Sequence, residues 1–198
     1  DKVYRKQYST NTLIERYLYD NNNRLSTYYN YDKGKVYYFA YDAMGNPIKY
    51  KAPSSSSPQN MYWTRGRMLA SGSQKGNNFS YEYDMSGMRY QKTVNGIKTN
   101  YYYEGGDIVA ESRNGTFIYY LYDMTGIRGM VYNDQYYIYE KNVFGDIEKI
   151  FNSNGDEVAS YKYDAWGNII YKSGSMADIN PFRYRGYYYD TETGFYYL

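Results

Sequence analysis

The stretch YEYDMSGMRYQKTVNGIKTNYYY, residues 81–103, contains two kinds of turn signal about ten residues apart. The first is an acid followed three positions later by a glycine, Asp84 and Gly87. The second is Asn95-Gly96, a dipeptide that strongly favours a two-residue hairpin loop between strands. The residues around both signals are rich in Tyr and Thr, which favour β-strands. This stretch therefore predicts consecutive antiparallel hairpins.

Both signals recur along most of the chain. The acid-to-glycine turns are Asp42–Gly45, Asp84–Gly87, Asp123–Gly126, Asp164–Gly167 and the longer Asp190–Gly194. The second kind comprises Asn95-Gly96, Asn114-Gly115, Asn133-Asp134 and Asn154-Gly155. Aligning the repeats on the residue before the acid selects Tyr83, Tyr103, Tyr122, Tyr139, Tyr163 and Tyr189. Such regular turn spacing predicts a β-meander.

We predict an all-β fold, an antiparallel meander of hairpins with no convincing helix. Residues 12–20 have some helical character but are assigned as a strand. The other predicted strands are 78–84, 88–94, 97–103, 107–113, 116–122, 127–132, 135–141, 146–151, 156–163 and 168–172.

The acid-to-glycine turn has a structural explanation. An acid at the first position accepts hydrogen bonds from backbone N–H groups of the following residues. Glycine suits the last position, where the left-handed conformation strains any residue with a Cβ. The acid and the glycine of the turn are both explained by these structural uses, so we predict no catalytic residue there.

Composition narrows the possible functions. The 198 residues include 34 Tyr but no Cys or His, and the net charge is +2. Disulfides, Cys- or His-ligated metal sites and catalysis by Ser-His-Asp or Cys-His groups are excluded. The weak net charge gives little drive for nucleic-acid binding, and no apolar run is long enough for a transmembrane helix. We predict no cofactor and no metal.

Two alternatives to a purely structural role remain for single residues. The turn acids Asp42, Asp84, Asp123, Asp164 and Asp190 are candidates for calcium or catalytic sites, although one acid per turn does not build a paired site. Trp63 and Trp166 are candidate sugar-binding platforms, because aromatic faces line ligand sites. The structural interpretation is that each tryptophan packs on a neighbouring strand.

The pattern resembles the YD-repeat, or RHS (rearrangement hotspot), family, including wall-associated and polymorphic-toxin members of Gram-positive bacteria. Residues 81–103 resemble successive repeats, with the progression G-x-R-x-x-K-x-x-x-G over 87–96. WTRGRMLAS at 63–71 is similar to a divergent copy. NPFRYRGYYYDTETGFYYL at 180–198 resembles the start of the RHS-associated core segment and contains Pro181, Arg183, Arg185 and Gly186.

The resemblance implies a division into repeats at 1–179, with a loop insertion near 52–60, and a core segment beginning at 180. It also implies a sheet strip that spirals into a shell, encapsulating and helping to deliver a C-terminal toxin or effector. The self-cleaving D-P-x-G motif of the family is absent, so no catalytic pair is carried over. The expected partner is the remainder of a longer bacterial chain, secreted or at the cell surface.

Two further functions remain open from the sequence. Aromatic repeats of about 20 residues are also typical of cell-wall or carbohydrate-binding modules, but Trp dominates those and only two are present here. A meander also leaves edge strands, which favour self-association in an adhesive surface protein.

Overall fold

The computed structural model describes residues 2–7, 10–51, 59–74 and 76–198. The chain divides into two compact units, Asp1–Gly87 and Met88–Leu198. Each unit contains an antiparallel meander, in which every strand pairs with the next one along the chain. The predicted all-β antiparallel fold is thereby confirmed within each unit.

In the first unit, the described residues form one sheet of eight strands. Residues 12–20 lie mostly in its second strand, as predicted. Of the predicted loop at 52–60, residues 52–58 lie outside the described residues, whereas 59 and 60 begin a strand. The strands are β1 (Lys2–Gln7), β2 (Thr10–Tyr19), β3 (Leu25–Asn30), β4 (Lys35–Tyr41), β5 (Pro47–Lys51), β6 (Gln59–Thr64), β7 (Met68–Gln74) and β8 (Asn77–Tyr83).

The second unit contains a nine-stranded sheet and a separate hairpin. Every strand predicted between 78 and 172 is present, with ends within one residue of the prediction. The sheet comprises β9 (Arg89–Val94), β10 (Ile97–Glu104), β11 (Asp107–Arg113), β12 (Thr116–Asp123), β13 (Gly126–Tyr132), β14 (Gln135–Lys141), β15 (Ile147–Asn152), β16 (Glu157–Tyr163) and β17 (Ile169–Ser173). A single 3-10 turn, Tyr184–Gly186, precedes the hairpin of β18 (Tyr188–Asp190) and β19 (Phe195–Tyr197).

All the acid-to-glycine bends except Asp190–Gly194 are turns capped by the side chain of their first residue. The carboxylate of Asp164 accepts hydrogen bonds from the backbone N–H groups of Trp166 and Asn168, both at 2.9 Å. The backbone N–H of Gly167 donates to the carbonyl of Asp164 at 3.1 Å, and Gly167 has a φ of +83°. This geometry is that of a type I turn followed by a left-handed residue.

Two bends differ from their sequence assignments. The turn after Tyr139 lies between the strand ends predicted at 141 and 146, but Asn142 caps it and not the acid after Tyr139. The Asn142 side-chain oxygen accepts from the backbone N–H groups of Phe144 and Asp146. Asn152 caps residues 152–156 in the same way, so this bend belongs to the first kind of turn. An asparagine side-chain oxygen replaces the carboxylate because the role requires an acceptor, not a charge.

A shift in the pairing register occurs within the last three residues of the strand that leads into most of these turns. Shifts occur between Ala40 and Tyr41, between Leu121 and Tyr122, and at the equivalent place in five other strand pairs. A β-bulge leaves part of the ladder unpaired and increases the local twist. Within each unit, the bulges therefore increase the twist near the same end of the paired strands.

A tyrosine hydroxyl then bonds the start of the neighbouring strand. Tyr122 Oη donates to the carbonyl of Ile108 at 3.0 Å. We call these contacts the hydroxyl clamps; the others are Tyr41 to Leu25, Tyr83 to Leu69, Tyr103 to Arg89 and Tyr163 to Ile147, at 2.7–2.9 Å. Each clamp satisfies a backbone carbonyl near a bulged turn, so a tyrosine there performs a task that phenylalanine cannot.

One face of the second unit's sheet carries its core. The buried residues there include Ile118, Met130, Tyr139, Ile147 and Ile150, each at most 1% exposed. In the first unit, four half-buried tyrosines stack across β2 to β5: Tyr17, Tyr28, Tyr37 and Tyr50, with ring centroids 4.9–6.1 Å apart. Tyrosine rings thus replace aliphatic side chains as packing material.

Removing one clamp hydroxyl tests its contribution. We expect Tyr122→Phe to lower the free energy of unfolding by about 1–2 kcal/mol, because the carbonyl of Ile108 loses its partner while the ring is kept. Tyr119→Phe is the matched control, since Tyr119 is 51% exposed on the same strand. Urea denaturation measures both variants; equal stabilities would contradict the role of the clamp.

A second prediction concerns the turn at 163–168. We expect Gly167→Val to lower the free energy of unfolding by about 2–4 kcal/mol, because φ is positive and the added Cβ would lie 2.7 Å from the ring of Tyr184. Asp164→Ala removes exposed turn hydrogen bonds and costs less. Thermal melting of both variants makes the comparison, and an unchanged melting temperature for Gly167→Val would rule out this turn geometry.

Candidate functional site: the C-terminal segment on the sheet of the second unit

The C-terminal segment, residues 174–198, packs on the core face of the second unit's sheet. Met176, Ala177, Phe182 and Tyr188 are buried in the same core as the sheet's tyrosines and isoleucines. The ring of Phe182 meets those of Tyr120 and Tyr188 edge to face, at 4.7 and 5.5 Å. The sheet face is therefore occupied by the chain itself.

A buried ion cluster joins this segment to β9. The carboxylate of Asp190 accepts two hydrogen bonds from the guanidinium of Arg89, at 2.6 and 3.0 Å. Lys92 Nζ lies 3.0 Å from Asp190 and 3.2 Å from Glu192. The paired geometry between guanidinium and carboxylate is the strongest form of this contact, so the cluster holds the segment in one register.

Aromatic rings enclose the guanidinium of Arg89. Its central carbon lies 4.2 Å from the ring centroid of Tyr197, 5.1 Å from that of Tyr101 and 5.6 Å from that of Tyr188. Arg89 is 1% exposed. The ring faces offset part of the cost of removing this cation from water.

The cluster keeps its charges despite burial. Burial raises the pKa of Asp190, but the charges of Arg89 and Lys92 outweigh it and hold that pKa below its ordinary value. Burial lowers the pKa of Lys92, and the opposing effect of Asp190 raises it above its ordinary value. Burial also raises the pKa of Tyr101 to about 12. The carboxylate and the ammonium are thus ionised and the phenol neutral at pH 7.

A second polar contact reaches the centre of the sheet. Tyr188 Oη donates to the carboxylate of Glu111 at 2.6 Å, and Glu111 also forms an ion pair with Arg113. Glu111 is completely buried. Burial raises the pKa of Tyr188 well above its ordinary value, and the charge of Glu111 adds to the effect. The hydroxyl therefore remains a hydrogen-bond donor.

Asn180 fixes the loop that precedes the hairpin. Its side-chain oxygen accepts from Tyr139 Oη at 2.7 Å, and its amide donates to the carbonyl of Phe182. Tyr161 Oη donates to the carbonyl of Ala177 at 3.0 Å. Two strand tyrosines thus donate hydrogen bonds to buried polar groups of the loop.

The four residues of the family-like core segment take different positions. Pro181 is buried, and its carbonyl accepts from the backbone N–H of Tyr189 at 2.8 Å. Arg183 is buried, whereas Arg185 is exposed in a left-handed conformation, and its backbone N–H donates to Asp146 at 2.8 Å. Gly186 follows with a φ of +69°.

Asp190 differs from the other turn acids. Asp42, Asp84, Asp123 and Asp164 cap their own turns with side-chain oxygens. Asp190 closes its turn only through its backbone carbonyl, which accepts from Gly194 at 2.7 Å. Its carboxylate instead turns inward to Arg89 and Lys92. The spacing to Gly194, one residue longer than elsewhere, was a sequence signal that this copy differs.

The acids that cap their own turns are also ionised. Hydrogen bonds from Asn168 hold the pKa of Asp164 below its ordinary value, and Asn46 does the same for Asp42. The side-chain and backbone hydrogen bonds of Thr125 lower the pKa of Asp123. These carboxylates are therefore acceptors in their own turns. Across the described ranges, no three His, Cys, Asp or Glu residues are grouped to hold a metal ion.

The two tryptophans have different surroundings. The indole N–H of Trp63 donates to the carbonyl of Pro47 at 2.7 Å, so this side chain is part of the sheet packing. Trp166 is 87% exposed and does not fold back into the structure. It borders a cavity of about 480 Å³ with Tyr189 and Phe195.

Breaking the cluster tests whether it anchors the segment. We expect Asp190→Asn to destabilise the protein by about 3–5 kcal/mol, because two buried cations lose a carboxylate. Hydrogen exchange should speed up first at 188–190. Asp134→Asn, in an exposed left-handed turn position that asparagine tolerates, is the control. Unchanged exchange at 188–190 in Asp190→Asn would contradict the anchoring role.

Comparisons with known proteins find relatives that are similar in sequence to part of this chain. No protein-family model matches the chain. The tRNA nuclease WapA of Bacillus subtilis (strain 168) is 38% identical over 132 residues, and the tRNA3(Ser)-specific nuclease WapA of Bacillus spizizenii is 37% identical over 126 residues. Each match covers 60% of this chain, which spans 5% of the length of these curated relatives.

Solved toxin structures contain a similar fold. The Tc holotoxin pore of Photorhabdus luminescens matches with a TM-score of 0.57 at 14% identity, over 95% of this chain and 11% of that chain. The TcdB2–TccC3–Cdc42 complex matches with a TM-score of 0.56 at 13% identity, over 99% of this chain and 16% of that chain. At these identities the likeness concerns the fold. Together with the repeated turns, the WapA similarity supports a relationship between this chain and the RHS, or YD-repeat, proteins.

Proposed function

We propose that this chain is a non-catalytic structural segment of a longer RHS-type toxin protein. Its repeats form part of the wall of a shell that encloses a C-terminal effector of the same polypeptide. The single observation that carries the proposal is the buried contact of Asp190 with Arg89 and Lys92. This contact holds the segment that follows the repeats against the core face of the sheet, as the wall of a shell must do if it encloses a later part of its own chain.

The hydrogen bonding and ionisation of the carboxylates support a scaffold function over an enzymatic one. The turn carboxylates are engaged in their own turns. Among the buried carboxylates, Asp190, Glu192 and Glu111 are paired with cations, and Asp146 accepts hydrogen bonds from Asn142 and Arg185. A general acid or base needs a pKa near the working pH, whereas the pKa values of Asp42, Asp164 and Asp190 all lie below the ordinary carboxyl value. The nuclease activity named for WapA is therefore not assigned to these residues.

We also propose that the full protein acts outside the cell or at its surface, as expected of a toxin that is delivered to other cells. Across the described ranges, no helix is both long enough and apolar enough to cross a bilayer.

Limited proteolysis of the full-length protein tests the enclosure. We expect the C-terminal effector region to resist protease in the wild type and in Asp134→Asn. In Asp190→Asn it should be cleaved sooner, because the segment that follows the repeats is no longer anchored. Equal cleavage of the effector region in all three proteins would contradict the enclosure, and tRNA cleavage by the 198-residue chain alone would contradict the non-catalytic role.

A carbohydrate-binding function is the second candidate, and the exposure of Trp166 is the observation that favours it. A flat aromatic ring in water beside a cavity is a suitable platform for a sugar. A glycan array with the wild type and Trp166→Ala tests this function. Saturable binding lost in the variant would support it, and the absence of binding would leave the scaffold role alone.

A further inference from the structure

A cavity of about 220 Å³ lies between the C-terminal segment and strands β9 to β11. Its lining includes Lys92, Arg113, Asn180, Arg183, Thr191 and Glu192. Asp178 also lines it, but this carboxylate is 75% exposed and forms an ion pair with Lys172. A water molecule takes about 30 Å³ in the liquid, so the cavity has room for a small ion and several waters.

Arg183 is the unusual member of this lining. It is 1% exposed, and its Nη2 donates to the carbonyls of Ala177 and Asn180 at 3.2 and 3.5 Å. Its Nε is buried without a hydrogen-bond partner. Its guanidinium carbon lies 4.5 Å from the ring of Tyr189 and 5.6 Å from the ring of Tyr161. Rings and carbonyls surround the cation.

The buried carboxylates near the cavity are each paired with a cation other than Arg183. Asp190 pairs with Arg89 and Lys92, Glu192 pairs with Lys92, and Glu111 pairs with Arg113. Among the described residues, no carboxylate lies within ion-pair distance of Arg183. Arg183 is therefore a buried cation without a carboxylate partner. A buried charge without a counterion is costly, and a bound anion would remove that cost.

We infer that this cavity binds a small oxyanion, a phosphate or a carboxylate, whose charge pairs with the guanidinium of Arg183. The planar fork of arginine donors matches the oxygens of both groups. The hydroxyl of Thr191 adds a hydrogen-bond donor to the same lining. Glu192 does not repel the anion strongly, because the ammonium of Lys92 neutralises it at 3.2 Å. This site is independent of the shell role proposed above.

Titration of the 198-residue chain with sodium phosphate at low ionic strength and pH 7 tests the site. A parallel titration with sodium acetate separates phosphate from carboxylate binding, and sodium chloride controls for ionic strength. We expect saturable binding by calorimetry and a melting temperature that rises with phosphate or acetate concentration, because the anion binds the folded state. We expect Arg183→Gln to weaken the binding by about tenfold or more.

Two further variants keep the test decisive if Arg183→Gln does not fold. Thr191→Glu keeps Arg183 and adds a carboxylate to the lining, so it should abolish the response to phosphate. Arg185→Gln is the matched control, since Arg185 is exposed and does not line the cavity; it should respond like the wild type. An equal response to chloride, no saturable binding, or an unchanged response in Thr191→Glu would overturn the inference.

Discussion

The carboxylate of Asp190 bonds Arg89 and Lys92, which lie about a hundred residues earlier in the chain, and the packing of the second unit depends on this contact. Without it, the C-terminal segment would leave two buried cations on β9 and expose the rings of Phe182 and Tyr188. Paired, the three charges fix the register of the hairpin against the sheet. The hydrophobic contacts around them are large but not directional, whereas the two-point contact with Arg89 allows one position only.

Tyrosine allows this sheet to form a packed core with few aliphatic residues. Its ring fills the core, as Tyr139 and Tyr161 do, and its hydroxyl then has to find a partner. The partners are the carbonyls near bulged turns, the polar groups of the 174–180 loop and the carboxylate of Glu111. Each hydroxyl thus joins two segments that packing alone would leave free to slide.

Prediction from the sequence was accurate for features that depend on interactions between residues close together in the chain. Strand ends between 78 and 172 matched within one residue, because turn residues such as Asn95-Gly96 act over two to four positions. At the turn after Tyr139 the alignment implied an acid as the capping residue, whereas Asn142 serves there. The sequence left open whether Trp166 is exposed or packed, because its exposure depends on whether a neighbouring segment covers the indole.

The sequence by itself determined the bends, the strands and the meander, since glycine conformation and side-chain caps are properties of a few adjacent residues. Only the tertiary structure decided which of several similar acids would be buried. Asp190 and Asp164 stand in nearly the same local sequence, yet one is enclosed with two cations and the other caps an exposed turn. That difference comes from what lies opposite each carboxylate in space: Arg89 and Lys92 opposite Asp190, and solvent beside Asp164.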